Sequence, residues 1–177
     1  MSAAPRPERS KASATSRHSA ARLAALQALY QVEMTGTPGA QVIDEFIRHR
    51  LGQPDDEAGT ARKTNAKRFT DLVRGVTGRC AEIDALIRPL LAAGWQLERL
   101  EIVMRCLLRL GAWELLALPE VPARVVISEY VALAGAFYSG DEPGAVNGIL
   151  DRLARKLRPG ELEAKSDGSR RSRHPAG

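Results

Sequence analysis

The apolar residues of this chain recur at spacings of three and four along most of its length. Such spacing places them on one face of an α-helix, whereas a half-buried strand would alternate apolar and polar residues. The sequence has no alternating stretch and no repeat of fixed period. Residues 97–118, LERLEIVMRCLLRLGAWELLAL, are apolar on most of the helical circumference, which is typical of a central helix surrounded by others. The pattern therefore predicts an all-α fold, a compact helical bundle.

Composition sets the limits of the folded part. With 177 residues, 44% of them hydrophobic, the chain is long enough for one domain with tails. Residues 1–16 and 160–177 are rich in small, polar and charged residues and lack a helical period. We therefore expect a disordered basic N-terminal arm and a disordered basic C-terminal tail around a helical domain at 17–159. Within the domain, TGTPG at 35–39 separates two helices. The helical region 69–90 is interrupted near Gly78 and ends near Pro89.

The net charge of +5 is unevenly distributed. Residues 1–22 carry +4 and residues 152–177 carry +5, which leaves −4 for the middle of the chain. Basic ends attract phosphates and suit a nucleic-acid partner, although basic tails also serve only as solubilising segments. No apolar run approaches the roughly 18–20 residues of a membrane span, and the first residues lack the apolar middle of a secretory signal. We therefore expect a cytoplasmic protein with no membrane partner.

The sequence offers little support for catalysis. The motifs GxGxxG, GxxxxGK[ST], HExxH and GxSxG are absent. The histidines His18, His49 and His174 fall in the basic arm, the second predicted helix and the tail, so sequence argument cannot gather them into a catalytic pair. Cys80 and Cys106 lie in helical apolar patterns, and we interpret them as small core residues rather than disulfide or zinc ligands. We predict no enzymatic activity, no catalytic residue, no metal site and no cofactor.

A basic segment runs directly into the first amphipathic helix, in SRHSAARLAALQALYQVE at residues 16–33. Arg17 and His18 precede this helix and Arg22 lies in its first turns, where the helix dipole favours anions over cations. A phosphate backbone would relieve this conflict through the side chains and the free amide groups. The alternative is that Arg17 and Arg22 simply face water.

The last helical stretch, EPGAVNGILDRLARKL at residues 142–157, contains the turn dipeptide Asn147-Gly148. Val146, Ile149 and Leu150 continue a helical repeat, so we predict a helix through the dipeptide. A glycine inside a helix costs about 1 kcal/mol relative to alanine. We therefore interpret Gly148 as allowing another backbone or a ligand to come close, with tight packing inside the protein as the alternative.

Several short motifs occur in one order between residues 20 and 157. They are AALQALYQVE, DLVRGV, Ile83-Asp84 through Leu90, WQLERL, LLRLGAWEL, VPARVVISEYVALAGAF and VNGILD. In this order and spacing they resemble the NusB transcription antitermination family. The resemblance implies about seven helices in two packed subbundles. It also implies a protein that binds the boxA element of nascent ribosomal RNA together with the ribosomal protein NusE, and that joins other Nus factors at RNA polymerase.

The resemblance implies an RNA surface on the first helix and around the start of the last helix, and a partner surface on the central helix. The RNA-binding candidates are Arg17, His18, Arg22, Gln27, Tyr30, Phe137, Asp141 and Asn147. The protein-partner candidates are Glu101, Met104 and Arg105. Asn147 offers both a donor and an acceptor. The rings of Tyr30 and Phe137 would serve equally well as core residues.

The sequence departs from the family pattern at five positions. Gly144 and Ala145 stand where a basic residue and an aromatic are common, so a base-stacking face worth about 1–3 kcal/mol is missing. Ser19 and Ala20 replace basic residues, and Met104 stands where an acid is usual. These departures support an alternative, a helical protein-interaction adaptor with weak or no direct RNA contact. A third reading, an accessory of ribosomal RNA cytosine methyltransferases, is less favoured because the sequence includes no α/β cofactor domain.

Overall fold

The protein is all-α, as the apolar spacing predicts. The computed structural model describes residues 8–51 and 66–163, and within these ranges it contains seven α-helices and no strand. The α-helices are α1 (Glu8–Thr35), α2 (Gly39–Phe46), α3 (Ala66–Gly78), α4 (Cys80–Ile87), α5 (Ile102–Ala117), α6 (Ala123–Phe137) and α7 (Glu142–Leu157). The shorter elements are a π turn at Ile47–Leu51 and two 3-10 turns at Arg88–Leu90 and Leu97–Arg99.

Glycine and proline end the helices where the sequence predicts. Gly36 has φ = 68°, a left-handed conformation that glycine adopts without a steric cost, and its N–H donates to the carbonyl of Val32 at 2.9 Å. Pro38 and Pro122 lie just ahead of α2 and α6, where a missing N–H costs no helical hydrogen bond. Each break therefore follows from local backbone chemistry.

Helix α5 is the centre of the bundle. It packs against α1, α3, α4, α6 and α7, and its buried residues lie on several sides of the helix. Helices α1 to α3 pack together as one group, α4 to α7 form a second group, and α5 joins the two through α1 and α3. The predicted central helix is confirmed. Over the described ranges, no helix is both long and apolar enough to cross a membrane.

Helix α1 begins earlier than the sequence analysis predicts. It starts at Glu8, so residues 8–16 are helical where we expected part of a disordered arm at 1–16. The reason is local composition: from Glu8 to Gly36 the sequence contains several alanines and no proline, and no glycine interrupts it. Residues 1–7 and 164–177, which belong to the predicted arm and tail, lie outside the described residues.

The chain stays packed beyond the end of α7. Leu162 is buried, and Glu161 accepts a hydrogen bond from the Ala123 N–H at the start of α6 at 2.6 Å. The Arg158 guanidinium donates to carbonyls at the end of α5 and in the following turn, those of Glu114, Leu115, Leu118 and Val121. These bonds satisfy carbonyls that a helix end leaves unpaired. The packed domain thus extends past the boundary predicted at residue 159.

Candidate nucleic-acid interface

An open groove of about 500 Å³ lies between the middle of α1, the π turn, the start of α5 and the end of α6. It is lined by Leu26, Gln27, Tyr30, Gln31, Arg50, Glu101, Val103 and Phe137. Its volume falls in the range of ligand-binding pockets, about 300–1,000 Å³. The structure therefore brings together three predicted RNA-binding residues, Gln27, Tyr30 and Phe137, with the predicted partner residue Glu101.

Two exposed aromatic rings face this groove. Tyr30 is 41% exposed and Phe137 is 48% exposed, so the interpretation of these rings as core residues is wrong. Gln27 lies beside Tyr30 on α1 because residues three apart share a helical face, and the same exposed face carries Leu23 and Met34. Exposed rings and side-chain amides are the groups that stack on and hydrogen-bond to unpaired bases.

Arg22 does not belong to this surface. Its side chain is 2% exposed, its Nε donates to Glu114 Oε2 at 3.0 Å, and its Nη2 pairs with the other oxygen of the same carboxylate. A second acid, Glu129, lies 3.4 Å from Nη1. Because the guanidinium is enclosed and doubly paired, the prediction that the Arg22 side chain binds RNA is wrong. The alternative, that it faces water, is wrong for the same reason.

The Arg22–Glu114 pair anchors α1 in the core. Glu114 is fully buried on α5 and also accepts a hydrogen bond from the Tyr130 hydroxyl of α6 at 2.8 Å. Burial opposes the charge on Arg22, but the hydrogen bonds and charge of Glu114 outweigh it and raise the pKa of Arg22. Burial and the nearby Glu114 raise the pKa of Tyr130 well above its usual value. The inner face of α1 is therefore fixed, and its outer face is left for the groove.

Arg17 and His18 lie nearer the start of α1 and do not line the groove. Arg17 is exposed and His18 is half-buried. Burial lowers the pKa of His18, and the positive charges of Arg68 and Arg22 lower it further. His18 is therefore mostly neutral at pH 7, and a bound phosphate would favour its protonation.

Asp141 and Asn147 are both exposed at the start of α7, outside the set of groove-lining residues. The carbonyl of Asp141 accepts the N–H of Ala145 at 3.0 Å and so begins the helix. Ala145 is half-buried and packs against the core. Position 145 therefore offers less exposed surface for stacking on a base than the sequence analysis assumes.

Gly148 is half-buried, with open space where a side chain would project. A Cβ placed on it would meet no atom within 4 Å, outside its immediate helical surroundings. The tight-packing interpretation is therefore wrong for the described residues. The interpretation as a site of ligand approach stays a prediction, because the space over the Gly148 backbone is free.

The three predicted partner residues differ in their exposure to solvent. Glu101 is exposed, but Met104 is 4% exposed, so its prediction as a partner contact is wrong because the apolar side chain packs into the core. Arg105 turns inward, with Nη2 2.7 Å from Glu33 Oε2 and Nη1 2.9 Å from the Leu100 carbonyl. Its side chain is 13% exposed, so Arg105 holds the protein together rather than offering a free charge to a partner.

Glu33 connects the two walls of the groove. Besides Arg105, its carboxylate accepts a hydrogen bond from Arg109 Nη1 at 2.9 Å. Arg109 in turn donates to both carboxylate oxygens of Asp84 on α4, at 2.7 and 2.8 Å. This Glu33 brace ties the end of α1 to α4 and α5, close to the groove residues Tyr30 and Glu101.

A second cavity, of about 150 Å³, is lined in part by the two cysteines. Burial raises the pKa of Cys106 to about 12, and burial also raises the pKa of Cys80. Both thiols are therefore protonated at neutral pH and are poor nucleophiles and ligands. The core interpretation is confirmed for Cys106, which is 1% exposed, whereas Cys80 is half-buried. In the described part of the chain, no three His, Cys, Asp or Glu side chains gather as metal ligands.

Sequence reasoning missed four groove residues, Leu26, Gln31, Val103 and Arg50. Arg50 had a detectable signal, because it follows Phe46 at the spacing that brings two helical side chains together. Its guanidinium carbon lies 4.5 Å from the centroid of the Phe46 ring. The other three have apolar or amide side chains that the sequence does not distinguish from ordinary helical residues.

A helical domain with exposed rings and side-chain amides in an open groove has the groups that stack on and hydrogen-bond to unpaired bases. The sequence profile of the NusB family matches residues 19–155. The chain belongs to this family.

Similar proteins and a solved structure support this membership. The transcription antitermination protein NusB of Sphingopyxis alaskensis is 49% identical over 140 residues, covering 79% of this chain and 93% of that protein. NusB of Maricaulis maris is 47% identical over 143 residues, covering 81% and 89%. A NusB structure from T. maritima is 30% identical, with a TM-score of 0.67 over 82% of this chain and 96% of that chain. The Sphingopyxis alaskensis and Maricaulis maris proteins are named as transcription antitermination proteins, and the family is one of transcription antitermination factors rather than enzymes, as predicted.

Proposed function

We propose that the protein is a transcription antitermination factor that binds the boxA element of nascent ribosomal RNA together with NusE. The observation that carries the proposal is the groove in which the exposed rings of Tyr30 and Phe137 meet the amide of Gln27. Membership of the NusB family supports the same role. In this proposed role, the protein joins other Nus factors at RNA polymerase in the cytoplasm.

The groove residues divide the work of RNA binding. Tyr30 and Phe137 stack on unpaired bases, and each base–aromatic stack contributes about 1–3 kcal/mol. Gln27 has no hydrogen-bond partner among the described residues, so its amide is free to donate to and accept from a base edge. Arg17, exposed in the first half of α1, contacts phosphates without reading the sequence.

NusE binds beside the groove in this proposal. Glu101 is the predicted partner residue that stays exposed, and it lies at the N-terminal end of α5. Because Glu101 also lines the groove, NusE and RNA meet along one edge. By linkage, NusE then raises RNA affinity by the same factor by which RNA raises NusE affinity.

A titration of the full-length protein tests the proposal. Fluorescence anisotropy with a boxA-like single-stranded RNA and a scrambled control, with and without NusE at one salt concentration, should show preference for boxA that NusE increases. Tyr30→Ala and Phe137→Ala should each weaken binding, by about 5- to 150-fold for the loss of one stack. Trp95→Ala is the matched control, because this ring is 43% exposed but does not line the groove.

Equal affinity for boxA-like and scrambled RNA, with and without NusE, would contradict the proposal. If NusE then bound with unchanged affinity in the absence of RNA, the result would favour the adaptor alternative, which Gly144 and Ala145 suggest. Tyr30→Ala and Phe137→Ala variants that bind RNA like the Trp95→Ala control would remove the groove from the RNA surface.

A further inference from the structure

Arg50 lies on top of a stack of aromatic rings at the edge of the groove. Its guanidinium carbon is 4.5 Å from the centroid of Phe46, and Phe46 stacks on Phe69 with ring centroids 5.5 Å apart and planes 18° apart. Phe46 and Phe69 are buried, so the base of the stack is held by the core. Stacking on a ring uses the flat face of a guanidinium and leaves its N–H edges for other acceptors.

The N–H groups of Arg50 have no acceptor among the residues that the structure describes. Arg79 is a useful contrast, because it also lies over a ring, 5.4 Å from the centroid of Trp113. Its Nε and Nη2 each donate to the Glu82 carboxylate at 2.6 Å, so its donors are already used. Within the described ranges, Arg50 therefore lies over a ring with its donors unused, whereas the donors of Arg79 are paired.

The charge of the groove favours a neutral ligand group at Arg50. Among the described residues that line the groove, Arg50 and Glu101 are the charged ones, and they carry opposite charges. A phosphate would gain little from this pair, since the acid repels what the guanidinium attracts. A base edge with two adjacent acceptors is uncharged, so the Glu101 carboxylate does not repel it as it would repel a phosphate. The guanine edge, with O6 and N7 side by side, is the one that arginine binds most often with two hydrogen bonds.

We propose that Arg50 is a base-reading residue that donates two hydrogen bonds to O6 and N7 of a guanine seated in the groove. The inference rests on the proposed function and adds a specificity-determining residue to it. Tyr30 and Phe137 supply stacking faces that accept any base, and Arg50 selects among bases at one position.

Two substitutions at Arg50 test the inference, with anisotropy on the full-length protein and a boxA-like RNA as the readout. Arg50→Gln should weaken binding by about 5- to 150-fold, the range for one two-pronged arginine–guanine contact. Arg50→Lys should not restore affinity, because lysine keeps the charge but lacks the planar fork. Arg79→Gln, the ring-stacked but acid-paired control, should bind like the unaltered protein. Circular dichroism melting curves establish that all variants are folded.

Replacing each guanine of the RNA in turn by 7-deazaguanine, which lacks the N7 acceptor, locates the contact. At one position the analogue should weaken binding to the unaltered protein and have no further effect on Arg50→Gln. If Arg50→Lys binds at full strength while Arg50→Gln shows a weaker salt dependence, the contact is to a phosphate and the inference is wrong. Arg50 variants with unchanged affinity would also overturn it, while leaving the proposed function intact. Failure of the unaltered protein to prefer boxA-like RNA would overturn both.

Discussion

At the scale of single residues, Glu114 decides which face of α1 points inward. Its buried carboxylate binds both Arg22 of α1 and Tyr130 of α6, so a rotation of α1 would leave a buried charge unpaired. A buried charge without a partner is among the most costly defects in a fold. The same contact that encloses Arg22 in the core therefore turns Gln27 and Tyr30 toward the groove.

We predict that Arg22→Gln lowers the free energy of unfolding by about 3–5 kcal/mol, the usual cost of removing one partner of a buried ion pair. Arg17→Gln, at an exposed arginine of the same helix, should change the free energy of unfolding by less than about 0.5 kcal/mol. Urea denaturation followed by circular dichroism measures both values. Equal stability of the two variants would show that the Glu114 pair does not anchor α1.

Gly148 gives a prediction in which stability and function change in opposite directions. Gly148→Ala should raise the free energy of unfolding by about 1 kcal/mol, because alanine favours the helix and the added methyl group meets no neighbour. If RNA approaches the backbone here, the same methyl group should weaken RNA binding. Gly135→Ala in α6, where a Cβ also meets nothing within 4 Å, is the control for helix propensity. Gains in stability for both variants with unchanged RNA affinity would end the ligand-approach interpretation.

We predict that RNA binding is accompanied by protonation of His18. Burial, Arg68 and Arg22 lower the pKa of His18 in the free protein, and a phosphate beside it would raise the pKa again. Binding then takes up a proton, so RNA affinity should increase as the pH falls from about 8 to 5.5, through the titration range of histidine. His18→Gln should remove most of this dependence. An equal pH dependence in both proteins would place RNA away from His18.

At the scale of helices, the Glu33 brace joins α1 to α5, two of the elements that line the groove. Tyr30 lies one turn before Glu33 on α1, and Arg105 lies one turn after Glu101 at the start of α5. The hydrogen bonds from Arg105 and Arg109 to Glu33 join these turns. The brace therefore positions Gln27 and Tyr30 of α1 relative to Glu101 at the start of α5.

We predict that Glu33→Gln lowers the free energy of unfolding by about 1–2 kcal/mol, as expected for weakened hydrogen bonds to charged groups. It should also reduce RNA affinity by about 2- to 30-fold, the range of indirect effects of about 0.5–2 kcal/mol. Asp71→Asn, which breaks the exposed pair with Lys67, is the control and should do neither. A Glu33→Gln variant with wild-type RNA affinity and reduced stability would show that the brace serves the fold alone.

The helices themselves were predictable because each depends on residues near one another in sequence. The spacing of Leu23, Leu26 and Leu29 defines an amphipathic helix, and Gly36 ends it. The pairing of Arg22 with Glu114 joins residues 92 positions apart, which no local pattern reveals. The direction of Met104, inward rather than toward a partner, depends in the same way on how α5 is surrounded. The sequence thus predicted where the helices lie. Which face of each helix points inward depends on how the helices pack, and local sequence does not reveal it.

At the scale of the whole molecule, the basic residues are concentrated at the two ends of the sequence, and the aromatic groove is formed by residues between them. The two ends carry +4 and +5 over residues 1–22 and 152–177, while the chain between them carries −4. If the protein binds RNA as proposed, charge at the ends raises the local concentration of RNA and gives affinity that falls with salt. Stacking and base-edge contacts in the groove then depend little on salt and supply the sequence preference. In the proposed function, the basic ends attract RNA and the groove recognises its sequence.

Ultraviolet crosslinking of a boxA-like single-stranded RNA to the full-length protein, with crosslinked peptides identified by mass spectrometry, tests this assignment most directly. We expect crosslinks in the peptides that contain Tyr30 and Phe137, because in the proposed function stacked bases lie against these rings. An excess of unlabelled boxA-like RNA should remove those crosslinks, and scrambled RNA should not. Crosslinks confined to residues 1–16 and 160–177, with none in the groove peptides, would contradict the account and leave only electrostatic attachment.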